Sequence, residues 1–368
     1  MSAPHVPSSR TEREASPAGD PGMADGLDAF MATMVVRSHP VPSARAVTLV
    51  REHYGIESQP TRLTGERDEN FRLTAADGAQ YVLKIANPAE SPAIAELANA
   101  ALLHIEEADP AIPCPRLVRT REGAAEVRFR DDAGRERTAR VLTYLPGRLL
   151  GASVRSRPQR AACGRLGGRL SCALRDFQHP AAHRAIVWDV RHAAYMQRLL
   201  DELPLFPYRK AAVELLRDMV PRIEEHLPRL RRQIVHNDLN PRNLLVDPTD
   251  EAKVLGVIDF GDLTHTALIG DVAVAAAELV PQECADPASA RECIREVAIA
   301  YHEYLPLEAR ELAALGTLAA ARLLMNVVVH EWHVHHNPAN DHYAALDPHF
   351  MRARLEIAAG LALEEIRL

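Results

Sequence analysis

His236-Asn-Asp-Leu-Asn-Pro-Arg-Asn243, followed after a short gap by Val257-Ile-Asp-Phe-Gly-Asp262, decides the reading of this chain. A carboxylate, Asp238, lies shortly before an amide, Asn243, and a second carboxylate, Asp259, closes an apolar run. Leu244-Leu-Val246 and Gly256-Val-Ile258 are short apolar segments separated by Asp247-Pro-Thr-Asp250, which is turn chemistry. Paired as an antiparallel hairpin, 244 is expected to face 258 and 246 to face 256, so that Asn243 and Asp259 leave the same open end. Two oxygen donors side by side suit a hard cation that bridges nucleotide phosphates. Asp238, on the preceding loop, is placed to take the proton of an attacking hydroxyl, and His236 is expected to tie that loop to the backbone. Phosphoryl transfer asks for this set of groups. Any one of them alone reads equally well as a strand or turn cap; the ordered set carries the inference.

HNDLNPRN with VIDFGD resembles the catalytic and metal-binding loops of the aminoglycoside phosphotransferase and choline kinase superfamily, whose fold is protein-kinase-like. The resemblance makes Asp238 the catalytic base and Asn243 and Asp259 the ligands of Mg2+. It makes Asp271, in Gly270-Asp-Val-Ala273, a buried brace for the catalytic loop. Tyr54-Gly-Ile56, Glu66-Arg-Asp-Glu-Asn-Phe71, Tyr81-Val-Leu-Lys-Ile85, Leu142-Thr-Tyr-Leu-Pro-Gly147 and Ile186-Val-Trp-Asp189 occur in the order and spacing of hydroxylysine kinases. The likeness runs from about residue 40 to the end. It implies an α+β, two-lobed fold: a small β-rich N-lobe over 39–142, a hinge at 143–147 and a larger, mainly helical C-lobe over 148–368. It also implies transfer of the γ-phosphoryl group of ATP or GTP to the hydroxyl of a small amino alcohol or hydroxy amino acid, 5-hydroxylysine foremost. Homoserine, choline or ethanolamine, and an aminoglycoside are the alternative acceptors. A nucleotide-binding pseudokinase is the alternative without transfer, which loss of Lys84, Asp238, Asn243 or Asp259 would have favoured.

The upstream segments have their own chemistry. In Gln80-Tyr-Val-Leu-Lys-Ile-Ala86, strand alternation puts Tyr81, Leu83 and Ile85 on one face and Lys84 on the other, with Val82 and Ala86. A partly buried ammonium requires anionic company. Ser91-Pro92 starts a helix whose apolar stripe is Ile94, Leu97, Ala98, Ala101, Leu102 and Ile105, leaving Glu96 off the stripe and expected to reach Lys84. Without the downstream loops, the same pair reads as surface residues. The nucleotide-covering turn is assigned to Gly65–Asn70, although it holds neither a GxGxxG nor a Walker lysine loop and also reads as a polar hairpin. The Pro-Gly turn after 141–145 is the expected hinge, with Tyr144 and Leu145 beside the nucleotide base. A hydroxy amino acid needs acidic and basic partners together. Asp262 is the candidate for its ammonium and Arg242 for its carboxylate or a phosphate. Trp188 and Asp189 are expected to line the acceptor side, with Glu331 projecting toward it.

The length of 368 residues allows one large two-lobed domain or two small ones, and the composition is that of an ordinary globular protein. A net charge of −7 argues against nonspecific nucleic-acid binding and leaves room for a cationic substrate. No signal peptide is expected from the polar start. The apolar run over 312–329 carries Gly316, Arg322 and Asn326, so it reads as a buried helix and no membrane partner is expected. Five cysteines without a CxxC pair suggest reduced thiols in the cytoplasm. Residues 1–38 are rich in Pro, Gly, Ser and charge and are expected to be disordered. Helical patterns fall at about 43–54, 158–178, 190–202, 208–226, 271–280, 288–303 and 307–335. His330-Glu-Trp-His-Val-His-His336, with His342 and His349 beyond, resembles an HExxH zinc helix, but Val334 occupies the second ligand position. Arg155, Arg157, Arg160, Arg165 and Arg169 are expected to form a solvated helix face. Oligomeric state is not written in the sequence.

Overall fold

The computed structural model describes residues 21–36, 40–65, 67–338 and 346–368. The first half of the chain builds an antiparallel sheet from β1 (Ser58–Leu63), β2 (Glu69–Ala75), β3 (Gln80–Ile85), β4 (Leu117–Val118), β5 (Val127–Arg130) and β6 (Glu136–Thr143), in the order β1-β2-β3-β6-β4 with β5 also on β6. Alternation does what it predicts: Phe71, Leu73, Leu83, Ile85 and Val141 are fully buried beneath helix α2 (Ser43–Tyr54) in a core of their own. Helix α3 (Pro92–Ala108) begins with Ser91 Oγ accepting from Ala93 N and Pro92 in its first turn.

Thereafter the chain is mainly helical: α4 (Arg157–Ala173), α5 (Met196–Asp201), α6 (Arg209–His226), α7 (Leu268–Glu278), α8 (Pro287–His302), α9 (Ala309–His336) and α10 (Pro348–Leu361). Short strands interrupt it: β7 (Arg148–Leu149), β8 (Arg232–Val235), β9 (Leu244–Val246), β10 (Val254–Val257) and β11 (Thr264–Ala267). The result is a β-rich N-terminal part and a helical C-terminal part, the protein-kinase-like α+β fold that the loops imply. Helix α9 is long and apolar enough to cross a membrane, but 83% of its most apolar window is buried inside the fold. It is the central helix of the larger core, packed on α7 and α10. Gly164 and Gly168 let α4 lie against α8: a Cβ on them would come within 2.4 Å of Val297 O and 2.7 Å of Tyr301 O. The arginines on α4 pair with Glu296, Glu303 and Asp109 rather than standing as a bare solvated face.

Two expectations need correction here. Disorder was expected through residue 38, but Pro21–Val35 forms helix α1, with Leu27, Phe30, Met31 and Met34 buried. Those positions are spaced as one helical face. Residues 1–20 and 37–39 lie outside the described residues. The hairpin register is also displaced. Leu244 faces Val257 and Val246 faces Val254, with a bulge between Val254 and Gly256. The pairing is displaced by one residue at Leu244 and by two at Val246, the second step coming from the bulge in β10.

Candidate active site

The displaced hairpin still delivers Asn243 and Asp259 to one end. Ile258 N donates to Asn243 O at 2.8 Å, which locks the end of β9 to the segment that presents Asp259. Asp259 and Asn237 both sit at φ +64°, a left-handed conformation that costs a non-glycine residue energy and that functional loops retain when their surroundings hold it. Asn243 Nδ2 donates to Asp238 O at 3.0 Å and to Asp238 Oδ2 at 2.6 Å. With its nitrogen so committed, the amide keeps Oδ1 as an oxygen donor. Asp259 Oδ1 accepts from Lys84 Nζ at 2.9 Å and Gly261 N at 3.2 Å, while Oδ2 has no hydrogen bond among the described residues. One amide oxygen and one carboxylate oxygen are the hard donors that Mg2+ takes, so the residues present fit that ion.

Asp238 is held on three sides. Its Oδ1 accepts from Asn240 Nδ2 at 2.7 Å and Arg322 Nη2 at 3.1 Å, and its Oδ2 from Asn243. Burial, with Asp262 adding repulsion, pushes its carboxyl up to about 7 against the pull of Arg322 and Asn240. A carboxyl poised near neutrality suits a proton acceptor. Asp259 goes the other way. Burial raises it, but the Lys84 ammonium, with Arg67 and Arg140 beyond, holds it well below the carboxylate range. His236 is fully buried and its Nδ1 accepts from Asp238 N at 3.3 Å, the backbone tie expected of it. Burial lowers it to about 4, so the ring is neutral, and it packs edge-on against Phe260 at 4.9 Å. Asp271, at the start of α7, accepts from Asn237 N at 2.7 Å and fixes the strained residue next to Asp238. Burial pushes Asp271 up to about 7.

The expected Lys84–Glu96 pair is absent. Lys84 bonds Asp259 and lies 3.7 Å from Asp68 Oδ2, both carboxylates close to the hairpin end. Glu96 instead meets Arg128 of β5 at 2.8 Å on the surface. The position across the sheet from Lys84 is filled by Arg140, its partner on β6, which donates to Asn99 Oδ1 at 2.9 Å and Ala95 O at 3.3 Å. Arg140 therefore ties α3 to the sheet, and a guanidinium there leaves Glu96 no reason to turn inward. A cleft lined by Asp68, Lys84, Glu90, Thr138, Arg140 and Gly261 lies beside this group. The turn over it begins at Gly65, where a Cβ would sit 2.3 Å from Asp68 O and 2.7 Å from Asn70 Nδ2. Glu66 lies outside the described residues. At the expected hinge, Tyr144 N donates to Gln80 O at 3.1 Å, the Arg72 guanidinium lies over the Tyr144 ring, and Leu145 abuts Gly256.

The acceptor residues expected from sequence fare unevenly. Trp188 lies beside the catalytic loop, its ring 4.8 Å beneath the Arg322 guanidinium. Arg242 is exposed, its backbone N–H donating to Asn240 Oδ1. Asp262 is buried, and its Oδ1 already meets Arg67 at 2.5 Å and Arg184 at 4.0 Å, so its charge is matched by two guanidiniums. Asp189 is fully buried; it accepts from Arg191 N and Thr266 Oγ1, both at 3.0 Å, and anchors a turn. Glu331 follows Arg322 by half-integral helical turns, so the two leave α9 on opposite sides and Glu331 does not meet Asp238. Sequence reading missed Arg322 itself. It is buried, bonds Asp238, and bonds Glu278 Oε1 through Nε at 2.9 Å. Asn326, one turn on, donates to the same oxygen at 2.9 Å. Two polar side chains one turn apart in an otherwise apolar helix were the signal. At the other end of α9, Trp332 donates to Glu202 and stacks on His336, and among the described residues no three metal-ligating groups converge. His342 lies outside those residues.

Comparison with known proteins agrees with this geometry. The mouse hydroxylysine kinase is 27% identical over 323 residues, which are 82% of this chain and 84% of that one. The homoserine kinase of Methylobacillus flagellatus is 31% identical over 255 residues, 68% of this chain and 72% of the other. Among solved structures, an amicoumacin kinase in complex with AMP-PNP and Ca2+ superposes with a TM-score of 0.64 at 17% identity, covering 86% of this chain and 92% of that chain. The model of the phosphotransferase enzyme family APH matches residues 60–312. This chain belongs to the APH phosphotransferase enzyme family and is a small-molecule kinase.

Proposed function

We propose that this protein transfers the γ-phosphoryl group of ATP or GTP to the hydroxyl of a small amino alcohol or hydroxy amino acid, with 5-hydroxylysine the foremost acceptor. The observation that carries the proposal is the Asp238–Asn243 contact beside Asp259. One amide side chain orients the proton acceptor through its nitrogen and keeps its oxygen for a cation. In this reading Asn243 Oδ1 and Asp259 hold Mg2+, which when bound neutralises charge on the transferring phosphoryl group. Lys84 exchanges its carboxylate partners for nucleotide phosphates. The Gly65–Asn70 turn covers them, and Tyr144 and Leu145 border the base. Asp238 receives the acceptor proton at Oδ2 or Oδ1, and His236, Asn240 and Asp271 keep its loop in place. The acceptor brings an amine, which suits a chain of net charge −7. Homoserine shares the amine and hydroxyl and is the second acceptor to try, because a homoserine kinase is among the relatives. Both settings, a soluble small-molecule substrate and five unpaired thiols, are those of the cytoplasm.

The test is an acceptor panel (5-hydroxylysine, homoserine, ethanolamine, choline, an aminoglycoside) with ATP and with GTP, run on the wild type and Asp238→Asn. Acceptor-dependent turnover in the wild type, lost in the variant with nucleotide binding retained, is expected. Equal turnover by the variant would remove Asp238 as the base, and no acceptor-dependent turnover at all would remove the kinase proposal.

A further inference from the structure

Resting on that reading, we propose that Glu278 binds the ammonium group of the acceptor, and that its placement selects acceptors whose amine lies close to the reacting hydroxyl. Glu278 is the last residue of α7, where the helix dipole disfavours a carboxylate. The chain nevertheless holds it there with Arg322 Nε at 2.9 Å and Asn326 Nδ2 at 2.9 Å. Both donors address Oε1. Among the described residues Oε2 takes no hydrogen bond and no ion pair, and the side chain is 18% exposed, so one oxygen remains open to the site.

The neighbouring group is the proton acceptor. The same guanidinium that bonds Glu278 bonds Asp238 Oδ1 at 3.1 Å, so the two carboxylates stand one guanidinium apart. Arg322 divides one positive charge between the two carboxylates, and Arg155 adds its field at Glu278 from farther off, so an ammonium would meet Glu278 at the oxygen that Arg322 does not bond. Of the other acids near Asp238, Asp262 is the less accessible, 8% exposed with two arginines on its Oδ1, and Asp189 is sealed. Arg322 is equally unavailable to an anion. Its third contact is Trp188 O at 3.3 Å, and the Trp188 ring covers one face of the guanidinium. Because the two carboxylates share one guanidinium, a single small molecule reaches Asp238 with its hydroxyl and Glu278 with its ammonium when only a few carbons separate them. The 5-hydroxyl and ε-ammonium of 5-hydroxylysine have that spacing, and so do ethanolamine and homoserine. A diol lacks the ammonium altogether.

Glu278→Gln tests this, because the amide oxygen still accepts from Arg322 and Asn326 while the charge is removed. Steady-state kinetics are measured with the best amino alcohol of the panel and with the matching diol, together with nucleotide KM and thermal unfolding. The expected result is a rise in KM for the amino alcohol on the order of 10- to 100-fold, the value of a lost charge-assisted bond, with diol turnover, nucleotide KM and Tm little changed. Glu278→Asp should restore part of the loss. Unchanged KM for the amino alcohol, or equal losses for amino alcohol and diol, overturns the assignment. Wild-type protein inert toward every acceptor overturns the kinase proposal itself, an outcome distinct from a wild type that turns over and a variant that matches it.

Discussion

Replacing Arg322 with methionine is the sharpest perturbation this structure offers. The side chain is 4% exposed and bridges Asp238 and Glu278, which are 19% and 18% exposed. Removing one partner of a fully buried pair costs about 3–5 kcal/mol, because a charge is left uncompensated. Here water reaches both carboxylates, and Asn240, Asn243 and Asn326 still donate to them, so the loss should be about 2–3 kcal/mol. A chain of this length unfolds with an entropy of about 0.8 kcal/mol per kelvin, which makes the change in Tm about 3–4 °C. The kinetic effect should be larger, on the order of 100-fold in kcat, since Asp238 would lose one of the three donors that aim it at the acceptor. Nucleotide KM should hold, because neither Lys84 nor Asp259 is among the contacts of Arg322. Arg322→Lys should recover charge without the fork that spans two carboxylates, and therefore only part of the activity. Thermal unfolding and acceptor-dependent turnover read both quantities. A methionine variant with wild-type kcat would refute the view that Arg322 orients the base.

Glu96→Ala should be nearly silent: the pair with Arg128 is about half exposed on both sides (48% and 51%), so stability should change by less than about 1 kcal/mol and turnover by less than about twofold; a large rise in nucleotide KM would show that Glu96 reaches Lys84 after all. Asp271→Asn should change the pH dependence of stability. The native carboxyl titrates at about 7, above its ordinary value of 3.8, so its stabilising protonated form is complete at low pH and is lost as pH rises toward about 7. The asparagine keeps an acceptor for Asn237 N without that titration, so the Tm of the wild type minus that of the variant should fall between about pH 4 and pH 7 and then level off. A flat difference would place the native titration elsewhere.

Much of the fold was legible because its signals are local. Strand alternation around Lys84, the Ser91-Pro92 helix start and the turn at Asp247–Asp250 all act within a few residues, and the elements they mark lie where expected. The hairpin register failed because it is offset by one residue at Leu244 and by a second through the bulge in β10, neither of which a local pattern announces. Glu96 failed because its choice depends on Arg128 and Arg140, two residues brought beside α3 by the sheet. Asp262 was credited with a free charge that Arg67 neutralises from far upstream. Arg322 went unread as a site residue because its partners arrive from α7 and the catalytic loop, so in one dimension it only interrupts an apolar run. Helix α1 shows the opposite error: the apolar spacing of Leu27, Phe30, Met31 and Met34 was present, and the Pro- and Gly-rich flanks outweighed it.

The central claim is that Asn243 and Asp259 hold one cation for the nucleotide beside Asp238. Its most direct measurement is the affinity of a non-hydrolysable nucleotide with and without Mg2+, by calorimetry, for the wild type, Asn243→Leu and Asp259→Asn. The wild type should bind at least about tenfold more tightly with Mg2+, and each variant should lose most of that gain. Mg2+ that leaves wild-type affinity unchanged, or that tightens binding to both variants as fully as to the wild type, would contradict it.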